Sequence, residues 1–178
     1  DTGSTITYVP CSTCSHCGKH TDPYFDTSSS SSYELVPSKD HDQCFTKTCQ
    51  GTSCSYTRHY AEDSISSGKM ISDFLSLPNP SATSTERSNI SQNSTAAISS
   101  TQYRIIFGCE ARETGDIYSQ KADGIMGIGR GAVSLPSQLA MQGVMADVFA
   151  LCYGDFNGGG SLVLGEITPP DGVCDQLP

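Results

Sequence analysis

An Asp-Thr-Gly-Ser tetrapeptide at residues 1–4 and an apolar segment with two glycines at residues 125–129 constrain the fold of this chain most. The tetrapeptide places the carboxylate of Asp1 on a sharp turn, which its glycine permits because glycine has no Cβ. The hydroxyls of Thr2 and Ser4 can hydrogen-bond around such a turn and hold the carboxylate in place. The later segment, Ile125-Met126-Gly127-Ile128-Gly129, predicts an apolar strand whose glycines allow close approach of another backbone. We interpret the two segments as halves of one structural element, which the chain contains once.

The length and charge narrow the classes of protein that this sequence fits. A chain of 178 residues suits one domain with a real core. Ten Lys and Arg against 19 Asp and Glu give a net charge of −9, and nucleic-acid binders need clustered basic residues instead. The acidity fits work in an acidic compartment or ordinary solubility charge. No apolar run approaches the roughly 20 residues that cross a bilayer, so no membrane segment is predicted in this chain.

Cysteines are frequent and widely spread. Three of them, with His20 nearby, have zinc-like spacing, but a zinc site usually needs a second closely spaced pair, and the next three stand five residues apart. The scatter favours disulfides and an oxidising compartment, with zinc as the alternative. The odd count leaves one thiol that is either free or paired outside this sequence. The nine cysteines are Cys11, Cys14, Cys17, Cys44, Cys49, Cys54, Cys109, Cys152 and Cys174.

Two glycosylation sequons support a secretory protein. They begin at Asn89 and Asn93, and both lie in a Ser/Thr/Asn-rich, low-complexity insertion at residues 79–100. We therefore expect the protein in the secretory pathway, with an extracellular or vacuolar destination. No signal peptide is recognisable, so its targeting segment is expected to lie outside this sequence.

The local patterns predict a mostly β domain with one or two short helices. A proline near the first turn predicts a helix that starts in the segment at residues 134–139. A cysteine-pinned loop is expected at residues 11–23. Two of the predicted strands form a hairpin whose Ser/Gly-rich tip has Tyr60 at its base, an arrangement that suits a lid over a substrate. The predicted strands are Thr5–Val9, Cys54–Tyr60, Lys69–Leu77, Tyr103–Cys109 and Ser161–Gly165.

Four segments together resemble the pepsin-like aspartic peptidases, in particular the plant and algal branch with the nepenthesin-like enzymes. They are DTGSTITYVPCSTCSHCGKH, CSYTRHYAEDSISSG, FGCEARETGDIYSQKADGIMGIGRG and FALCYGDFNGGGSLVLGEITPP, and they span nearly the whole chain. The resemblance implies a closed, double-psi β-barrel-like lobe with short helices. Residues 1–165 would form the N-terminal catalytic lobe of a bilobal peptidase, and residues 166–178 would begin the connection to a second lobe that this sequence lacks.

The resemblance also implies roles for individual residues. Tyr60 would be the flap tyrosine, and Tyr8 stands where many relatives carry a tryptophan that contacts it. Residues 125–127 would pack beneath the aspartate loop. The catalytic residue would be Asp1, with Thr2, Gly3 and Ser4 as its supporting turn.

For the cysteines, the resemblance implies local pairing of Cys11 with Cys14 and of Cys17 with Cys109. Cys152 would pair with a cysteine of the second lobe. The pairing among Cys44, Cys49 and Cys54 stays open.

The implied activity is acid endopeptidase cleavage of peptides and proteins, by a water activated between two aspartates. Because the chain carries one Asp-Thr-Gly, we expect it to be inactive without the C-terminal lobe. Neither a metal nor a cofactor is implied. The alternatives are a one-lobe peptidase that acts as a homodimer, a non-catalytic inhibitor or binding protein on the same fold, and a small cysteine-rich zinc module.

Overall fold

The described chain consists of two compact units. The computed structural model describes residues 1–39, 44, 48–78, 100–154 and 159–166. The larger unit comprises residues 8–124, and the smaller unit comprises residues 1–7 together with the chain from residue 125 onward. Across the described residues strand far exceeds helix, which confirms the predicted mostly β fold class. No helix in these ranges is long and apolar enough to cross a membrane.

A six-stranded sheet forms the larger unit, in the order β1-β6-β5-β4-β3, with β2 paired to β5. Strands β1 and β6 run parallel, and the other pairs are antiparallel. A short helix, α1 (Asp116–Ser119), follows the last strand. The strands are β1 (Tyr8–Pro10), β2 (Glu34–Leu35), β3 (Thr48–Gln50), β4 (Ser53–His59), β5 (Ile65–Pro78) and β6 (Ser100–Thr114).

The β4–β5 hairpin is longer than predicted. Strand β5 begins at Ile65, four residues before the expected start, so the residues expected at the tip pair with β4 instead. Serines allow this because their hydroxyls have partners inside the fold. The Ser64 hydroxyl accepts a hydrogen bond from the Asp116 amide (2.9 Å), and the Ser66 hydroxyl bonds that of Tyr56 (3.0 Å).

A β-bulge in β6 determines which of its side chains share a face. Gly68 of β5 pairs with Glu110, and the next pair joins Ser67 to Arg112, so Ala111 is the extra residue. Without the bulge, residues 110 and 113 would point to opposite faces, because side chains alternate along a strand. The extra residue brings Glu110 and Glu113 onto the same face, where both are fully buried.

The smaller unit contains the predicted helix and a two-stranded sheet. Helix α2 (Leu135–Met141) begins after Ser134, whose hydroxyl accepts from the Ser137 amide, and has a proline in its first turn. Strand β7 (Phe149–Tyr153) pairs antiparallel with β8 (Gly160–Leu164).

The strand predicted at Thr5–Val9 is wrong in its extent, because only Tyr8 and Val9 belong to β1. Residues 1–7 lie in the other unit, where loop contacts replace a sheet ladder. The Gly129 amide donates to the Ser4 carbonyl (2.8 Å), and the Gly127 amide donates to the Thr7 hydroxyl (3.1 Å).

Disulfides join all four candidate cysteines, but the pairing implied by the resemblance is wrong. Cys11 is bonded to Cys109, and Cys14 is bonded to Cys17. The parallel register of β1 and β6 explains the first bond, because it aligns Val9 with Cys109 and carries Cys11 past it, with Cα atoms 5.4 Å apart. A tight turn at Cys11–Cys14 then directs the Cys14 side chain away from Cys11, and Cys14 is bonded to Cys17, three residues further along the chain.

The remaining described cysteines bear on the open questions. Cys44 is bonded to Cys54, and Cys152 is free and exposed on β7. The sulfurs of Cys11, Cys14 and Cys17 are all in disulfides, so they are not thiolate ligands as the zinc alternative requires. The predicted glycosylation sites, Asn89 and Asn93, lie outside the described residues.

Removing the two disulfides is expected to have unequal effects. In the chain-entropy model, closing a loop of about 100 residues stabilises a fold by about 4.7 kcal/mol, and closing a loop of about four residues by about 1.9 kcal/mol. The Cys11→Ser/Cys109→Ser double variant, whose bond spans 98 residues, should therefore lose more free energy of unfolding than Cys14→Ser/Cys17→Ser. Urea unfolding measures the losses, and peptide mapping without reduction checks the pairing. A Cys11–Cys14 peptide would contradict it.

Candidate active site

Backbone hydrogen bonds hold the Asp1 turn from two directions. The amide of Ile128 donates to the Asp1 carbonyl (3.0 Å), and the Asp1 nitrogen donates to the Met126 carbonyl (2.8 Å). Within the turn, the Gly3 amide donates to Asp1 Oδ1 (2.8 Å). The carboxylate is exposed, and one of its oxygens is oriented by the backbone. The smaller unit thus brings together the two segments that the sequence suggested belong to one element.

Gly127 is at the closest approach between these segments. A Cβ at this position would lie 2.5 Å from the Thr5 carbonyl carbon and 2.6 Å from the Ile6 nitrogen. Both are backbone atoms, which cannot rotate away. The Gly127 carbonyl also accepts from the Leu135 amide (3.2 Å), so the first turn of α2 is joined to the same point.

Replacing Gly127 with alanine is expected to displace the Asp1 turn and to destabilise the protein. Overpacking of this kind costs roughly 1–3 kcal/mol. Gly159→Ala is the control, because a Cβ there meets nothing within 4 Å. Urea unfolding of the two variants measures the difference, and equal stabilities would show that the segments are not in close contact.

Ser4 differs from Thr2 in its surroundings. Ser4 is buried, and its hydroxyl has no hydrogen-bond partner among the residues that the structure describes, whereas Thr2 is exposed. An unpaired buried hydroxyl is unfavourable by about 1–3 kcal/mol. The Ser4 hydroxyl can therefore form a hydrogen bond with water or with another part of the protein.

In the larger unit, Tyr60 opens a tight turn at the end of the β4–β5 hairpin. Its amide donates to the Ser64 carbonyl (3.0 Å), and its carbonyl accepts from the Asp63 amide (3.1 Å). Asp63 has a φ of 65°, in the left-handed region that few residues other than glycine adopt. Glu62 and Asp63 are exposed, so the turn presents two acidic side chains to solvent.

The hydroxyls of Tyr8 and Tyr60 lie 3.0 Å apart and form a hydrogen bond. Tyr8 is completely buried, and its ring stacks on that of Tyr56 with centroids 5.6 Å apart. Burial, followed by the bond to Tyr60, holds the pKa of Tyr8 well above its usual range, so its hydroxyl keeps its proton. The structure thus joins the two tyrosines that the sequence suggested for the flap, and their roles remain predictions.

Comparison with known proteins agrees with this architecture. Residues 1–166 match the family described as xylanase inhibitor N-terminal. Aspartic proteinase 36 of Arabidopsis thaliana is 31% identical over 181 residues, which cover 96% of this chain and 35% of that protein. Aspartic proteinase nepenthesin-1 of Nepenthes gracilis is 29% identical over 141 residues, which cover 78% of this chain and 28% of that protein. The crystal structure of basic 7S globulin from soybean has the same fold, with a TM-score of 0.61 and 15% identity over 92% of this chain and 41% of that one.

The fold and the clamped Asp-Thr-Gly-Ser turn define a lobe of pepsin-like architecture. With the family match and the sequence identities, they show that the chain belongs to the pepsin-like aspartic peptidase family. The chain spans about a third of the length of relatives such as aspartic proteinase 36.

Proposed function

We propose that this chain supplies one catalytic aspartate, Asp1, to an aspartic endopeptidase. The observation that carries the proposal is the exposed Asp1 carboxylate, oriented by the Gly3 amide within a turn that the 126–129 backbone clamps. Two close carboxylates share one proton, because both cannot easily be ionised. One of them then accepts a proton from water while the other donates to the scissile carbonyl. This chemistry needs no metal or cofactor.

The second aspartate would come from a C-terminal lobe, with residues 1–165 as the catalytic lobe and residues 166–178 as the start of the connection. The outer surface of the small sheet supports this arrangement, because Leu151, Tyr153 and Leu162 are exposed there. Exposed apolar side chains in a cluster are typical of a surface that is covered by a partner. The free Cys152 on the same strand suits a disulfide to that lobe.

Substrate binding would place an extended peptide or protein segment under the hairpin that carries Tyr60. A lid of this kind excludes water and fixes the geometry of the scissile bond. The bond from Tyr8 to Tyr60 supports this role, because it gives the lid a defined position.

The disulfides and the two sequons support a glycosylated protein of the secretory pathway, extracellular or vacuolar. A shift in mobility after enzymatic deglycosylation, lost in the Asn89→Gln/Asn93→Gln variant, tests the glycans. An unchanged mobility would contradict them.

A non-catalytic binding protein is the second candidate. The matched family is described as xylanase inhibitor N-terminal, and the fold is shared with a 7S globulin. The intact Asp-Thr-Gly-Ser turn favours catalysis over this alternative, because a protein that only binds has no need of an oriented carboxylate.

The deciding experiment incubates the intact protein with an unfolded protein substrate at acid pH and sequences the products by mass spectrometry. New internal termini support an endopeptidase. Specific activity that falls on dilution would indicate a homodimer instead of a bilobal enzyme. Tight binding to a xylanase without any cleavage would support the inhibitor.

A further inference from the structure

A buried cluster of two carboxyl groups and one imidazole lies in the larger unit, away from the residues given a role above. Glu110 and Glu113 share one face of β6 and are both fully buried, and an oxygen of one lies within 4.8 Å of an oxygen of the other. His20, from the loop after β1, has a side chain that is only 1% exposed. Its Nε2 lies 3.3 Å from Oε2 of Glu113. The loop and the strand thus bring three side chains that can bind a metal into a region without solvent.

Three carboxyl oxygens of this cluster have no well-formed hydrogen bond among the described residues. They are both oxygens of Glu110 and Oε1 of Glu113. No Lys or Arg in the described part of the chain forms an ion pair with either carboxyl group. One proton shared between the two groups satisfies only two oxygens, because one becomes a donor and the other accepts. A bound cation satisfies all three, and buried charges in proteins are usually paired or coordinate a metal.

The orientation of His20 is an independent indication of a metal. Its Nδ1 lies 2.5 Å from the Ala122 carbonyl and donates to it, because a carbonyl only accepts. Its Nε2 is buried and faces Glu113, yet it has no well-formed hydrogen bond among the described residues. Histidines that bind a metal through one ring nitrogen usually donate through the other to a backbone carbonyl or a carboxylate. His20 is held in that arrangement, with Nε2 directed into the cluster.

The distances and the kinds of donor atom indicate which metal the cluster suits. Zn–N and Zn–O bonds are about 2.0–2.2 Å long, so two such ligands at a tetrahedral angle lie about 3.3–3.6 Å apart. The 3.3 Å between Nε2 of His20 and Oε2 of Glu113 fits this separation. Calcium instead takes about six to eight oxygen ligands. The sulfur of Cys17 also lies within 4.8 Å of the carboxyl oxygens, but it is bonded to Cys14 and is not a thiolate. One imidazole nitrogen with carboxylate oxygens favours zinc.

The loop that carries His20 is fixed against β6 by contacts of its own. The Gly18 amide donates to Oε2 of Glu113 (2.9 Å), and the Gly18 carbonyl accepts from the Tyr24 hydroxyl (2.6 Å). The Tyr24 ring packs edge-on against the His20 ring, with centroids 5.3 Å apart. A Cβ at Gly18 would lie 1.8 Å from the Tyr118 carbonyl oxygen, so the loop can approach this closely only with glycine there. Hydrogen bonds and packing therefore orient the cluster in the way that residues behind metal ligands do.

We propose that the larger unit binds one structural zinc ion, with His20 and Glu113 as ligands and Glu110 as the third. Glu113 is the common member, because it contacts His20 through Oε2 and lies beside Glu110. The two carboxylates neutralise the charge of the ion, and the ion fastens the loop after β1 to the end of β6. In protein stripped of metal, burial raises the pKa of Glu110 to about 9, so a proton takes the place of the ion. Stability measured in the presence of a chelator describes that form. The zinc site does not depend on the proposed function.

Zinc binding is tested on the intact protein without measuring activity. Metal is removed with EDTA, the protein is transferred to buffer without chelator, Zn²⁺ alone is added, and unbound metal is removed by gel filtration. Elemental analysis should then find one zinc ion per chain, and the thermal unfolding midpoint should rise with Zn²⁺ but not with Ca²⁺. X-ray absorption of the bound zinc should show nitrogen and oxygen ligands at about 2.0–2.2 Å and no sulfur at about 2.3 Å.

The most informative variant is His20→Asn, because the asparagine amide can still donate to the Ala122 carbonyl while Nε2 is lost. It should weaken zinc binding at least about ten-fold, since even the loss of a residue behind the ligands has an effect of about 10–100-fold. Glu113→Gln should weaken binding to a similar extent. His59→Asn, at an exposed position on β4, is the matched control and should bind zinc as the native protein does.

X-ray absorption of the native protein keeps the test decisive if His20→Asn does not fold, because it reports the ligands directly. The proposal is overturned if the native protein retains no zinc, or if the bound zinc has sulfur ligands. It is also overturned if His20→Asn and His59→Asn bind zinc equally well. A protein that Ca²⁺ stabilises as much as Zn²⁺ would contradict the role of the imidazole as a ligand.

Discussion

Replacing Asp1 with asparagine is expected to lower the acid peptidase activity of the intact protein by about 10²–10⁴-fold, the usual contribution of general acid–base catalysis. Asparagine has nearly the same shape and keeps an oxygen that can accept from the Gly3 amide, so the turn should survive. Its amide cannot accept a proton from the attacking water, so the proposed pair of aspartates can no longer activate that water. The measurement is the initial rate of cleavage of an unfolded protein at acid pH.

The matched control for this loss is Asp22→Asn, which removes a carboxylate from an exposed position in the other unit. It should keep the native rate. Equal unfolding midpoints for the native protein and both variants would show that the lost activity is chemical. If Asp1→Asn cleaved as fast as the native protein, Asp1 would not be catalytic.

The second large effect concerns stability against pH. The pKa of Glu110 is raised from an ordinary 4.5 to about 9, chiefly by burial. Above pH 4.5 the unfolded chain releases this proton while the folded protein keeps it, so alkali favours unfolding. The stabilisation is complete below pH 4.5 and is lost as the pH rises to about 9. The expected slope is up to about 1.4 kcal/mol per pH unit, or about 6 kcal/mol over the window.

Glu110→Gln should remove this dependence, because the amide has no proton to lose. At pH 5 the variant should be no more stable than the native protein, and at pH 8.5 it should be the more stable of the two. Urea unfolding at a series of pH values measures the crossing. Glu62→Gln, an exposed change on the hairpin turn, should follow the native curve. Parallel curves for the native protein and Glu110→Gln would contradict a buried, protonated Glu110.

Features defined by local chemistry were predictable from the sequence. A proline near its first turn predicts the start of α2, and the Gly-spaced segment at 125–129 predicts close packing against another backbone. Tyr8 and Tyr60 were paired correctly because the family resemblance supplies a contact that spans 52 residues.

Features that depend on register were not predictable. The bond from Cys11 to Cys109 follows from the parallel alignment of β1 and β6, and no spacing rule supplies that alignment. The sequence analysis missed the buried pair of Glu110 and Glu113 for a similar reason. In a regular strand, Glu110 and Glu113 would lie on opposite faces, and only the extra residue at Ala111 joins them.

The parallel pairing of β1 with β6 also determines the order in which this lobe can be assembled. Tyr8 pairs with Gly108, so β1 can form its pairing with β6 only after about a hundred further residues have left the ribosome. The three antiparallel strands β4, β5 and β6 have nearer partners and can form first. The ends of β5 and β6 meet at Pro78 and Ser100, and each doubling of the loop between them costs only about 0.6 kcal/mol. Changes in the length of the Ser/Thr/Asn-rich insertion are therefore expected to cost little stability, whereas the long span from β1 to β6 is expected to make that pairing form more slowly than the antiparallel ones.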